Sequence, residues 1–339
     1  MVHLSRLRRA TPTISPRRDP RGGCLRTGVD CYATPVGEGA GYRGSVTQNA
    51  IDASRIDSAL ARELVATQFP HWADLPLRPI ERGGNDHRMF RLGDDLLVRL
   101  PAAPGYVPQV AKEQQWLPRL APLLPLPVPE VRGVGAPSDE FPAPWSVYGW
   151  LAGEPAATAR LDDPVALARD LADFLVALRQ VPVAADAPQP GLHSAFRGGS
   201  LEHWDDEMGD ILHRVHGRER DIAAGIWRDA LDATFLGPDV WFHGDVSVNN
   251  LLLADGRLSG VIDFGCSAVG DPACDTVMRW TLFQGRAREE FHRRLDVDEA
   301  TWARGRGWAL WKGLIMITNK PPGQAEFARR VLDELIAGV

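Results

Sequence analysis

Val240-Trp241-Phe242-His243-Gly244-Asp245 begins a run in which Asn250 follows the aspartate by five residues and Asp263-Phe264-Gly265 begins eighteen residues after it. Between them, Leu251-Leu252-Leu253 and Leu258-Ser259-Gly260-Val261-Ile262 flank Ala254-Asp255-Gly256-Arg257. An Asp-Gly pair between two apolar runs is a strong hairpin signal. Such a hairpin carries Asp263 back toward the loop that holds Asp245 and Asn250. An Asp and an Asn in one loop, with a second Asp at a strand end, supply hard oxygen ligands for a cation and leave one carboxylate to face a hydroxyl.

The spacing is similar to the catalytic loop of protein kinases, where an Asp, an Asn and the Asp of Asp-Phe-Gly serve as base and metal ligands. With His-Gly-Asp at 243–245 the chain resembles the aminoglycoside phosphotransferase family, which also includes macrolide, choline and homoserine kinases. His-Gly-Asp alone is a weak motif; the specificity lies in Asn250, the hairpin and Ile262-Asp263-Phe264-Gly265 standing in register with it. The resemblance covers nearly the whole chain beyond the N-terminal extension. It implies an α+β, two-lobed protein-kinase-like fold, with a small antiparallel-sheet nucleotide lobe at 51–150 and a larger helical lobe at 151–339 for catalysis and acceptor binding; residues 1–50 read, from composition, as a basic extension without order.

The activity it implies is transfer of the γ-phosphate of ATP or GTP, with Mg²⁺, to a hydroxyl of a small molecule, as in antibiotic-resistance kinases for aminoglycosides and macrolides. The alternatives are a kinase for a small metabolite (an amino alcohol, a sugar or a homoserine-like compound) and a pseudokinase that binds nucleotide without catalysis. Asp245 then aligns the acceptor hydroxyl and captures its proton, while Asn250 and Asp263 hold Mg²⁺. Both aspartates are expected on a polar rim, and His243 is expected to brace the loop backbone.

By position, the basic residue for the α- and β-phosphates falls on Arg99, in Leu97-Val98-Arg99-Leu100, and its helix partner on Glu113. Arg99 departs from the lysine of the pattern; a guanidinium can pair with phosphate bidentately, but with altered geometry. Both residues also read as ordinary solvated charges. Lys112 is expected to point away from this pair, since adjacent helix positions diverge. Gly84 and Asn85, in Gly83-Gly84-Asn85-Asp86-His87, stand where a phosphate-covering loop belongs, and equally fit a plain hairpin turn. The segment Trp145–Leu151 resembles the connection between lobes, with adenine meeting backbone groups around Tyr148, Trp150 and Leu151.

Around these motifs the hydrophobic pattern predicts a helix from Ser54, capped by Ser54 or Asp57. Strands follow at Leu77–Ile80, Met89–Leu92, Leu96–Leu100 and Trp145–Leu151, and a helix at Ala111–Leu120. Helices are then predicted at Val165–Leu178, Leu201–Val215 and Arg220–Phe235, and from Glu289 onward, interrupted by one β-rich insert at Trp241–Phe264. Asp271 and Asp275 read as loop-stabilising or acceptor-side carboxylates. The acidic run Glu202-His203-Trp204-Asp205-Asp206-Glu207 reads as a helix start favoured by the dipole rather than a cradle for a cation. Trp308 and Trp311 read as core, or as lining of an acceptor pocket.

Composition narrows the rest. A 44% apolar share over 339 residues suits an ordinary globular core. Residues 1–50 hold eight arginines against Asp19, Asp30 and Glu38. They read as a solvated extension, alternatively as a basic tail touching a membrane or polyanion, or as sequence before a true start near Val46. The acidic remainder argues against nucleic acid as a partner. No apolar run reaches the roughly 18 residues of a membrane helix. Cys24, Cys31, Cys266 and Cys274 have neither zinc spacing nor scaffold density and read as reduced thiols of a cytoplasmic protein. Only three lysines, Lys112, Lys312 and Lys320, occur among 38 basic residues.

Overall fold

The computed structural model describes residues 51–80, 86–319 and 322–337. The expectations for residues 1–50 and for Gly84 and Asn85 lie outside the described residues. Helix α1, Ser58–Gln68, starts where Asp57 turns its carboxylate onto the Ala59 and Leu60 N–H groups, both at 2.9 Å. Its apolar face, Ala61, Leu64 and Val65, packs on a five-stranded antiparallel sheet.

The sheet is built from β1 (Leu77–Pro79), β2 (His87–Leu92), β3 (Leu96–Pro101), β4 (Val131–Gly135) and β5 (Trp145–Gly149), in the order β1-β2-β3-β5-β4. Phe90, Leu92, Val98, Leu100, Trp145 and Val147 form its core with α1. Helix α2, Val107–Leu120, begins four residues before the prediction because Pro108 sits in its first turn, where a missing N–H costs nothing. Gln109, Lys112, Glu113, Trp116, Leu117 and Leu120 recur at three- and four-residue steps along its buried side.

Strand β6 (Glu154–Pro155) leads into α3 (Pro164–Gln180), capped by Asp163. The helical body continues with α4 (Asp205–Leu212), α5 (Gly217–Asp232), α6 (Met278–Thr281), α7 (Gly285–Leu295), α8 (Glu299–Asn319) and α9 (Pro322–Ala337). Within it lie β7 (Val240–Phe242), β8 (Leu251–Ala254), β9 (Arg257–Val261) and β10 (Ala268–Gly270). β8 and β9 close over Asp255 and Gly256, both at positive φ (51° and 74°), as a two-residue turn of twisted strands requires.

The buried faces of α3 and α7 enclose Trp241, Leu251, Val261 and Phe264, and the end of α2 joins the same cluster. A second cluster ties α5, α8 and α9 together. Three expectations are corrected. The helix over 201–215 is a 3-10 turn, Leu201–Trp204, followed by an α4 that stops at Leu212. The strand from Trp145 ends at Gly149, two residues early. The C-terminal helices begin at Gly285, before Glu289. Among the described residues no helix is long and apolar enough to cross a membrane.

Candidate active site

Asp245 lies in the loop between β7 and β8 and is buried, at 6% exposure, rather than standing on a rim as expected. The loop is held from behind. Asp275 accepts the N–H groups of His243 (2.7 Å) and Gly244 (2.8 Å), and burial lifts its carboxyl above the usual carboxylate range. The His243 ring donates through Nε2 to the Ile262 carbonyl (3.0 Å) and accepts the Asp245 N–H at Nδ1 (3.2 Å), which fixes its tautomer. This is the bracing expected of His243. Gly244 has φ +83°, and a Cβ there would stand 2.6 Å from the Cys266 carbonyl oxygen, so only glycine fits. Asp271, likewise buried, is clamped by Arg304 through Nε (2.6 Å) and Nη2 (3.1 Å). Asp275 therefore supports the loop directly, whereas the Asp271 side chain is taken up by Arg304 and by the Ala273 N–H (3.1 Å) of the turn that follows.

Asn250 donates its side-chain N–H to the Asp245 carbonyl (2.9 Å) and to Asp245 Oδ2 (3.3 Å). Its nitrogen is committed to the loop, and its amide oxygen is the atom suited to a cation. The hairpin delivers Asp263 at φ +68°, a left-handed conformation that Asp tolerates better than most residues. Its side chain is 30% exposed, and Oδ1 accepts from Arg99 Nη2 at 2.9 Å.

Arg99 is no solvent charge. Its side chain is 9% exposed, and Nη1 meets both oxygens of Glu113, at 3.3 and 3.2 Å. Tyr148 closes the series from behind by donating its hydroxyl to Glu113 Oε2 at 2.8 Å. Tyr148, Glu113, Arg99 and Asp263 thus form one polar chain from β5 through α2 and β3 to the hairpin. Lys112 is buried on the same helix and, as expected, diverges from the Arg99–Glu113 pair: Nζ donates to the Gly265 carbonyl and meets His193 Nδ1, both at 2.7 Å. Burial pulls its ammonium down to about 8.

The connecting segment behaves differently. Trp150 is 39% exposed and stacks with Arg91, whose guanidinium carbon is 3.6 Å from the ring centroid. The N–H groups of Gly149 and Trp150 donate to the Glu130 and Asp95 carbonyls (2.8 and 2.7 Å), so a base meeting this segment would find neither of them. Leu151, half-buried, follows directly.

Asp86 was not anticipated. Its Oδ1 is buried without a partner; burial first, then the charges of Asp263 and Asp245, push its carboxyl up to about 7. This orphaned oxygen, the Asn250 amide oxygen and the Asp263 carboxylate make a donor set and a negative field that fit a hard divalent cation. Among the described residues no cluster of three His, Cys, Asp or Glu forms a cage. Mg²⁺ usually needs only one or two carboxylates, with water and substrate phosphates completing its shell.

On its other side Asp245 faces a small cleft lined by Arg197, Cys274, Trp308, Trp311 and Lys312. Lys312 Nζ lies 3.3 Å and Arg197 Nη2 3.9 Å from Asp245 Oδ1. Trp308 and Trp311 are both buried and both line the cleft, so the two readings of them coincide. The acidic start of α4 is engaged in packing: Asp205 accepts Trp227 Nε1 at 2.7 Å and Glu207 accepts Trp311 Nε1 at 3.0 Å. Arg197 had no sequence signal, since it sits in an irregular loop between residues of positive φ. Lys312 had one: in a chain that uses arginine almost throughout, Lys112 and Lys312 are both placed at the site.

Residues 76–308 match the model of a family described as "Phosphotransferase enzyme family". An aminoglycoside 3'-phosphotransferase of Escherichia coli is 30% identical over 117 residues, a match spanning 34% of this chain and 42% of that protein's length. Among solved structures, the GDP and kanamycin complex of APH(2")-IIia superposes with a TM-score of 0.65 at 19% identity, covering 82% of this chain and 98% of that one. Macrolide 2'-phosphotransferase MphH from Brachybacterium faecium gives a TM-score of 0.55 at 22% identity, with 80% and 98% covered. At these identities the structures show a common fold, the two-lobed kinase-like α+β arrangement.

Proposed function

From the premise that this chain belongs to the phosphotransferase enzyme family, we propose that it moves the γ-phosphate of ATP or GTP onto a hydroxyl of a small molecule. The observation that carries this reading is the convergence of Asp245, Asn250 and Asp263, eighteen residues apart in sequence, on one loop and one hairpin end that Arg99 joins to the sheet. The relatives supply the same sense: one is named an aminoglycoside phosphotransferase, another a macrolide phosphotransferase, and one was captured with GDP.

In this reading Asp245 orients the acceptor hydroxyl and takes its proton as the new O–P bond forms. Asn250 and Asp263 would hold Mg²⁺, which neutralises charge on the nucleotide phosphates when bound. Arg99, fixed by Glu113, faces the α- and β-phosphates, and its two-pronged head suits them. The sheet at 77–149 with α2 serves the nucleotide, and the helical body from residue 151 serves chemistry and acceptor. We place the protein in the cytoplasm, where nucleotide is supplied and the buried thiols Cys266 and Cys274 stay reduced.

The test is a coupled nucleotide-consumption assay with Mg²⁺, ATP or GTP, and a panel of aminoglycosides, macrolides, amino alcohols and hydroxy acids. Turnover that disappears in Asp245→Ala is expected; turnover undiminished in that variant would refute the assignment.

A further inference from the structure

Asp263 holds an uncommon backbone conformation at the end of the hairpin, φ +68°, and a non-glycine residue stays there only when its surroundings over-determine it. The chain is fixed on both sides of it. Before it, the Ile262 N–H donates to the Asn250 carbonyl (2.9 Å) and the Ile262 carbonyl accepts His243 Nε2 (3.0 Å). After it, the Gly265 carbonyl accepts Lys112 Nζ at 2.7 Å, a charge-assisted bond in a buried place, where such a bond is stronger than in water. The Asp263 carboxylate is held by Arg99, which Glu113 anchors. Lys112 and Glu113, neighbours on α2, therefore grip opposite ends of Asp263-Phe264-Gly265, one through the backbone and the other, by way of Arg99, through the side chain.

Lys112 is aimed by a further partner. His193 Nε2 donates to the Gln189 carbonyl at 2.8 Å, which leaves Nδ1 as an acceptor, and Lys112 Nζ meets it at 2.7 Å. Burial first, then the nearby ammonium, pull this imidazole down to about 4, so at neutral pH it accepts from a charged lysine. Gln109, one turn earlier on α2, donates to the His193 carbonyl at 3.2 Å and lies against Gly265, where a Cβ would stand 2.6 Å from its Oε1. Side-chain entropy opposes holding a lysine ammonium in one place. Here two acceptors from different parts of the chain hold it, and the chemistry assigned above leaves this cluster without a task.

We propose that Lys112, aimed by His193, is a positioning residue for the metal: it fixes the backbone that presents the Asp263 carboxylate to Mg²⁺. The proposal rests on the phosphotransferase reading above and adds a residue to its metal-holding side. Groups one step removed from a metal's ligands typically count for roughly 10–100-fold in its affinity. A lysine that only satisfied a buried carbonyl would instead cost stability and leave metal binding untouched.

The test uses Mn²⁺ as a paramagnetic probe for Mg²⁺, read by electron paramagnetic resonance on the full chain with ADP and with GDP. Nucleotide binding in EDTA and urea unfolding are measured alongside. Lys112→Met is expected to weaken Mn²⁺ binding about tenfold or more while metal-free nucleotide binding moves less than about twofold. In turnover, the Mg²⁺ concentration giving half-maximal rate should rise by a similar factor, with kcat at saturating Mg²⁺ within about threefold of the unaltered chain. Unchanged Mn²⁺ affinity in folded Lys112→Met, or an equal loss of nucleotide binding with and without metal, overturns the proposal.

His193 supplies a second, milder comparison that decides the matter if Lys112→Met does not fold. His193→Leu removes the acceptor at Nδ1 and is expected to weaken Mn²⁺ binding about threefold. His193→Asn, whose Oδ1 can take the same N–H, is expected to restore it. Equal Mn²⁺ affinity in the two His193 variants overturns the proposal. If the unaltered chain binds no Mn²⁺ with either nucleotide, the phosphotransferase reading falls and the proposal with it, a result seen before any variant is compared.

Discussion

The catalytic loop and the nucleotide-facing corner of the sheet reach comparable order by opposite routes. In the first, Asp245, Asn250 and Asp263 are brought together by one hairpin, and the longest separation in sequence is eighteen residues. In the second, Arg99 meets Glu113 across 14 residues, Tyr148 meets Glu113 across 35, and Arg99 meets Asp263 across 164. A local constellation can be carried by turn chemistry, whereas a distant one exists only once the core has closed. Damage to the loop should therefore show in turnover, and damage to the corner in stability as well.

The largest effect expected is from Asp245→Ala, a fall of about 10³-fold or more in kcat with native circular dichroism. Loss of the folded signal instead would make the loop as stability-critical as the corner and erase the contrast. Next comes Arg99→Met, which leaves Glu113, at 1% side-chain exposure, buried against a missing cation. A cost of about 3–5 kcal/mol in urea unfolding is expected. Arg99→Lys keeps the charge and should retain turnover with a raised nucleotide KM; an unchanged KM would remove Arg99 from the nucleotide site.

Asp86 lies between the two regions electrostatically. Its carboxyl in the fold is pushed up to about 7, while the unfolded chain titrates near about 4, so the fold holds the extra proton in that window and stability falls as pH rises through it. Asp86→Asn should then stabilise the ligand-free protein by on the order of 2 kcal/mol above pH 7 and change nothing below about pH 4. Thermal melts across that range check both ends. The smallest effect is expected at the outer edge of the hairpin, where Arg257 pairs with Asp170 at 60% exposure. Arg257→Ala should leave both the urea midpoint and kcat unchanged within error.

The same contrast explains what the sequence made legible. Asp245, Asn250 and Asp263 announced themselves through spacing and an Asp-Gly turn, and the hairpin formed as expected. Strand β4 did not, because Val131-Arg132-Gly133-Val134-Gly135 has two glycines and depends on β5 for its pairing. α4 ended short of Val215, three residues past Gly209, whose backbone freedom weakens a helix. Lys112 and Glu113 are both buried although they are neighbours on one helix, since α2 sits where sheet and helical body converge on it from different sides. Arg197 and Asp86 acquire their surroundings wholly from the closed fold, so no local pattern marked them.

Asp275 has a consequence for time as well as for geometry. Its carboxylate, 3% exposed as a residue, accepts two consecutive amide protons of the catalytic loop. Those protons can trade with deuterated solvent only when the loop swings off its anchor or the body opens. The His243 and Gly244 amides are therefore a built-in clock: their exchange lag, set against that of neighbouring core amides, gives the lifetime of the loop in its working position.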